Sequence, residues 1–277
     1  MAIAASERRP DVGLFGPESV AWRIDREVLV LAGGTCALLM QLAHPAVAAG
    51  VAQHSDFRAD PFARLRRTLT ASYAVVFGTT ARAERAIARM NAIHGAVRGT
   101  IPESGVTYDA RDPALLLWVH ATLVDTALRV YDRYVCRLAD ADAQAYHAES
   151  REIAIRLGVP SGVIPLELSE LRAWMDAVIR DGTVRVTPTA RELAPSVLYP
   201  VAAIPRPAWD AAHLLSLSVM PGSLRRQYGL GWSPARERGV RRLARVSRAL
   251  YPRLPASLRH VPQARTALRR ASASVTA

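Results

Sequence analysis

Residues 114–135, ALLLWVHATLVDTALRVYDRYV, limit the fold more than any other stretch of this chain. Asp112 can accept a backbone N–H as an N-cap, and Pro113 behind it has the φ and the missing donor that suit the first helical position. The helix they start is apolar on almost every face, which is stable in water only if other elements surround it. By spacing, Leu116, His120, Leu123, Val124 and Ala127 form its inner face. An imidazole therefore sits where leucine would be expected, and the rest of the chain has to wrap this helix.

The remaining sequence supplies helices with one apolar stripe each. The first begins at Ser19, after Pro17, and is expected to carry Val20, Ile24, Val28 and Leu31 on one stripe as far as Gly33 and Gly34. A second, almost wholly apolar, runs from Thr35 to His44, and Pro45 opens a third through Val51. His44 and His54 stand at the breaks, where each either lies over a cofactor as a pocket residue or caps carbonyls, and the cap is the preferred reading for both. Further helices are read at 141–157, in LELSELRAWMDAVIRDG with Leu168, Leu171, Met175 and Val178 inward, from Thr189, and in PRPAWDAAHLLSLSVMP. The β-like runs GVTYDA, which contains the packing or pocket aromatic Tyr108, and TVRVTP are too short to organise a sheet. The expected fold class is all-α. It comprises an N-terminal arm (1–18), one multi-helix domain (19–233) and an arginine-rich C-terminal helix and tail (234–277).

The chemistry concentrates in residues 54–99. Asp60 and Pro61 repeat the cap and first-position device, and in the helix that follows Arg64 and Thr68 stack one turn apart, with Ala71 and Val75 continuing the face. The next helix, from about Ala81 to Val97, carries Ile87, Met90, His94 and Val97 at the spacing of a buried stripe, and Gly99 is expected as the C′ residue that stops it. His94 then has two readings. It is a core histidine satisfied by a carbonyl or hydroxyl, or its Nε2 binds a haem iron with Ile87, Met90 and Val97 as one apolar wall. Arg64 likewise either meets an anion in the interior or belongs to a solvated basic face with Arg66 and Arg67.

Composition removes other classes. All 36 basic residues are arginine, so no lysine exists for a Walker A loop, and neither G-x-S-x-G nor H-E-x-x-H occurs. Glu-x-x-His pairs for a di-iron bundle are also missing. Cys36 and Cys136, 100 positions apart, make neither a thiolate cluster nor an expected disulfide. No long apolar run follows the first charges, and Gly33, Gly34, His44 and Pro45 interrupt residues 28–53, so neither an export signal nor a membrane span is expected.

Five blocks, QLAHPAVAAGVAQHSDF (Gln41–Phe57), DPFARLRRT, FGT, IHGAVRGT and LLLWVHATLVDT, occur in an order that resembles the MpaB and latex-clearing-protein family of haem oxygenases, over roughly residues 17–230. The resemblance implies a helical, globin-like core around haem b. It implies an iron ligand at His94 and a haem surround of Arg64, Arg67 and Thr68, with Arg64 and Thr68 on the reacting side. From its place on the inner helix face His120 competes with His94: His94 ranks first for the iron and His120 as a distal, substrate-side or supporting residue, with ligation by both histidines as the alternative. Dioxygen and an apolar or isoprenoid-like small molecule would be the co-substrates. The chain is shorter than secreted rubber oxygenases and has no export signal, so a cytoplasmic enzyme with another substrate than polyisoprene is expected.

A different class of function is written in the charge. Residues 221–277 hold 13 arginines and one acid, Glu237, which accounts for the whole formal charge of +12. With Tyr228, Trp232 and Tyr251 as interfacial or stacking groups, this tail could bind an anionic membrane or nucleic acid without catalysis. Its helix from Pro234 to Tyr251 is expected to place Val240, Leu243, Val246, Ser247 and Leu250 on one side. That amphipathy suits a membrane surface better than a groove, and a terminal helix docked on the core is the simpler alternative.

Overall fold

Asp112 caps as its position suggests, accepting the N–H of Ala114 at 2.8 Å. The computed structural model describes residues 11–55, 61–201 and 204–273, with side chains from residue 66 in the second stretch and as far as 272 in the third. Counting helices in chain order, Asp112 starts α6 (Pro113–Val130), which runs on into a π-helical turn at Tyr131–Val135. Thirteen of its eighteen residues are buried, and it packs against α1 (Val20–Asp25), α2 (Gly34–Leu42), α7 (Asp140–Arg156), α8 (Leu168–Arg180) and the 3-10 turn Val28–Gly33. Leu123, expected on its inner face, is exposed instead. The indole N–H of Trp118 donates to the Met40 carbonyl of α2 at 3.1 Å. Gly33 lets the incoming chain approach closely, because a Cβ there would lie 2.7 Å from the Thr126 methyl and 3.1 Å from a Val130 methyl.

The other helices are α3 (Pro45–His54), α4 (Pro61–Phe77), α5 (Thr80–Ala96), α9 (Pro188–Leu198), α10 (Arg206–Leu217), α11 (Gly222–Gln227), α12 (Pro234–Leu250), α13 (Ala256–Arg259) and α14 (Pro262–Ala273). Fourteen α-helices, three 3-10 turns, one π-helical turn and a single antiparallel pair, β1 (Arg98–Thr100) with β2 (Thr107–Asp109), therefore make up the regular structure of the described residues, and the fold is all-α. Val240 and Ala244 of α12 and Val261, Ala264 and Ala267 further on join the same core as α1, α2 and α6.

Several local expectations need correction. The first helix stops at Asp25, and Val28 and Leu31 are exposed, because Glu27 turns inward to bridge His260 across the chain. Gly99 is not a helix stop: Val97 is the C-cap, and Gly99 sits in β1 opposite Tyr108, where a Cβ would run into Gln53 and the Tyr108 hydroxyl. His44 caps an N–H, its Nδ1 accepting from Ala46 at 3.2 Å, whereas His54 Nε2 does meet a carbonyl, that of Arg98, at 2.8 Å. On α12 the buried positions are Val240 and Ala244, and Leu243, Val246 and Leu250 point outward. Both cysteines are free.

Candidate functional site

The FGT block joins α4 to α5 in a tight hairpin whose ends are fastened from outside. The Trp22 indole donates to the Val76 carbonyl at 2.7 Å and meets Phe77 edge to face at 5.4 Å. Thr79 caps α5 by accepting from Arg82, and Asp11 accepts both the N–H and the hydroxyl of Thr80. At the other end, the Asn91 amide donates to the Arg156 carbonyl of α7.

His94 lies on the C-terminal half of α5, half-buried, with Ile87 buried and Met90 and Val97 half-buried along the same stripe. Its Nδ1 is buried without a hydrogen-bond partner among the described residues, and burial lowers its pKa below the ordinary histidine value. The ring is therefore a neutral imidazole whose Nδ1 has no partner among the described residues. α4 packs antiparallel beside it. At about 1.5 Å of rise per residue, the backbone of residue 64 is level with residue 94, and residue 68 is about one turn nearer the hairpin tip. Arg67 and Thr68 are exposed on α4. The Arg64 side chain and the Asp60 cap lie outside the described residues.

His120 is deep in α6, and its charge state is influenced by a residue that the periodicity did not single out. It is 8% exposed, its Nε2 has no hydrogen-bond partner among the described residues, and burial, with a smaller effect of His147, pushes its pKa down to about 4. His147 on α7 is fully buried; its Nε2 is 2.9 Å from the Pro165 carbonyl, and its Nδ1 is unpaired among the described residues. Donation to a carbonyl fixes the tautomer, so Nδ1 carries the lone pair. The available signal was the inward set Tyr146, Ser150 and Ala154 around His147, concealed by the charges elsewhere on that helix. Asp125, five residues beyond His120, is committed elsewhere, to ion pairs with Arg129 and with Arg172 at 2.8 Å.

A second polar group braces α1, α4 and α7. Asp25 accepts the Tyr146 O–H at 2.8 Å, and desolvation, then the nearby Glu149 carboxylate, push its pKa up to about 7 against the Tyr146 hydrogen bond. The Tyr73 hydroxyl of α4 is buried and unpaired among the described residues, and its pKa is raised by burial and then by Asp25. Glu149 accepts the N–H groups of Val20 and Ala21, and so holds the start of α1.

No group of three or more His, Cys, Asp or Glu side chains able to hold a metal ion occurs among the described residues. A cofactor that brings its own equatorial ligands and asks the protein for one imidazole fits this donor set; a bare metal centre does not. Two surface grooves, of about 360 and 860 Å³, are lined by neither His94, His120 nor His147.

The family described as ER-bound oxygenase mpaB/B′/Rubber oxygenase, catalytic domain, matches residues 22–249, from the Trp22 anchor of the hairpin to the end of α12. The chain belongs to this family. It is thus an oxygenase, and the non-catalytic alternative is set aside. Uncharacterized proteins of Mycobacterium bovis and of Mycobacterium tuberculosis are each 30% identical over 221 residues, covering 76% of this chain and 84% of the relative. No solved structure matches. Among the described residues one unbent helix, Pro113–Val135, is long and apolar enough to cross a membrane, and 72% of its apolar 18-residue window is buried inside the protein.

Proposed function

We propose that this oxygenase works with haem b, held through an imidazole nitrogen of His94, and that it oxygenates an apolar or isoprenoid-like small molecule with dioxygen. The observation that carries the reading is the state of His94: a neutral, half-buried ring with an unpaired nitrogen, on a hairpin inside an oxygenase domain that offers no multidentate metal site among the described residues. A bound haem would supply the redox iron at which dioxygen is activated.

The chain's own residues would do the rest. Burial keeps the His94 lone pair free of a proton at neutral pH, which an iron ligand requires. Ile87, Met90 and Val97 give the macrocycle an apolar face and exclude water from it. Arg64, whose backbone is level with His94 by helical rise, and Arg67 would meet propionate charge, and Thr68 would offer a hydroxyl one turn away. His120, neutral and with Nε2 unpaired, is the group for the substrate side. Its pKa near 4 makes it a hydrogen-bond donor or acceptor at neutral pH and not a cation.

The test is optical. Protein purified from haem-sufficient cells should show a Soret band and about one haem b per chain. His94→Ala should lose it, and His120→Ala should keep at least part of it with altered activity. A colourless protein that takes up no added hemin would refute the cofactor, and equal haem retention in the two variants would refute the assignment of His94 over His120.

A further inference from the structure

We infer that the outward face of α12 is a docking surface for an anionic lipid bilayer. The helix is first a core element: Val240 and Ala244 are buried, the Ser247 hydroxyl donates to the Tyr134 carbonyl at 2.6 Å, and Arg248 donates to the Arg133 carbonyl at 2.8 Å. These contacts fix which side faces out. On that side Leu243, Val246 and Leu250, at i, i+3 and i+7, are 45%, 53% and 58% exposed and make one apolar stripe. Leu254 and Leu258, exposed as well, follow it in the chain.

Alongside the stripe, again at helical spacing, run the exposed Arg238, Arg242 and Arg245, none with an acid in ion-pair distance among the described residues. Arg245 opens onto the 860 Å³ groove between α12 and the end of α6, whose lining has six arginines against three acids. Partly buried polar contacts hold the inner face, and among the described residues the outward leucines stay exposed. An apolar stripe flanked by guanidinium groups matches the boundary between acyl chains and acidic headgroups: the leucines enter the boundary, and the arginine stems lie along it with their charges in the headgroup layer. A folded polyanion such as duplex DNA would use the arginines and leave the leucines in water. The occupant favoured by both features is therefore a membrane surface, which would also bring an oxygenase to apolar substrates.

The experiment uses the full chain and co-sedimentation with phosphatidylcholine vesicles, with and without phosphatidylglycerol. The wild-type protein should bind the acidic vesicles, and part of that binding should survive salt that shortens the Debye length to about 3 Å. Each arginine near such a surface contributes about fivefold in affinity, so Arg238→Gln/Arg242→Gln/Arg245→Gln should bind on the order of a hundredfold more weakly at low salt. Leu243→Gln/Val246→Gln/Leu250→Gln, all at exposed positions and all to a good helix former, should fold normally by circular dichroism and lose the salt-resistant part. Wild-type protein that ignores acidic vesicles overturns the inference. So does a glutamine-for-leucine variant that binds as the wild type does at every salt concentration, or vesicle binding abolished by inorganic phosphate at matched ionic strength, which would make the surface a site for soluble phosphate.

Discussion

Replacing Asp25 by asparagine should flatten part of the pH dependence of stability, with a sign that the structure determines. The carboxyl has an ordinary value of 3.8 and is pushed up to about 7 in the fold, chiefly by desolvation. A group whose folded pKa is raised holds its proton more tightly when folded. Its contribution is thus greatest near or below 3.8 and is lost as pH rises through about 7. At 1.36 kcal/mol per pH unit, complete burial would make that loss about 4 kcal/mol. Asp25 is only partly shielded from solvent by area, so we reduce it to about 2 kcal/mol. Asp25→Asn leaves an amide oxygen where the carboxyl oxygen was, and so keeps an acceptor for the Tyr146 O–H. Half-buried His44 and His94 and buried His120 and His147, all with lowered pKa, push the other way, stability rising with pH towards the ordinary histidine value. The decisive quantity is the difference between the two proteins in urea unfolding across this range. Asp25→Asn should equal the wild type or fall slightly below it near pH 3.8 and exceed it by about 2 kcal/mol above pH 7. A difference that does not change with pH would refute the assignment of a partly shielded, proton-holding carboxyl at Asp25.

Two further outcomes follow from close contacts. Gly33→Ala should cost about 1–3 kcal/mol through overlap with the Thr126 methyl, and adding Thr126→Ser, which removes that methyl but keeps a hydroxyl, should recover much of it; additive losses in denaturant unfolding would exclude the contact as the cause. In NMR titration the His120 ring should stay neutral well below 6.5, with an apparent pKa of about 4, and His147→Phe should move it upward; a midpoint at the ordinary value would show that the ring is solvated.

Much of the architecture was legible because it depends on interactions a few residues long. Ser19 and Asp112 both cap the helices that follow them, and the all-round apolar character of α6 meant that it had to be enclosed. The order of the five blocks identified the oxygenase family, and the α5 stripe brought His94 half inward. Periodicity nevertheless shows only that a helix has a stripe, not which neighbour will cover it. On α12 the side chains of Leu243, Val246 and Leu250 are more apolar than Ala244, yet the core took Val240 and Ala244, in the rotation in which Ser247 and Arg248 donate to the carbonyls of Tyr134 and Arg133. The first helix ends early because Glu27 finds His260 and Arg259 far along the chain, and His147 acquires its meaning from Pro165 and from His120 on another helix. Caps and spacing are local and were determined by the sequence itself; the rotation of each helix, the burial of His120 and His147 and the outward turn of the α12 leucines depend on contacts between distant segments, which only the tertiary structure decides.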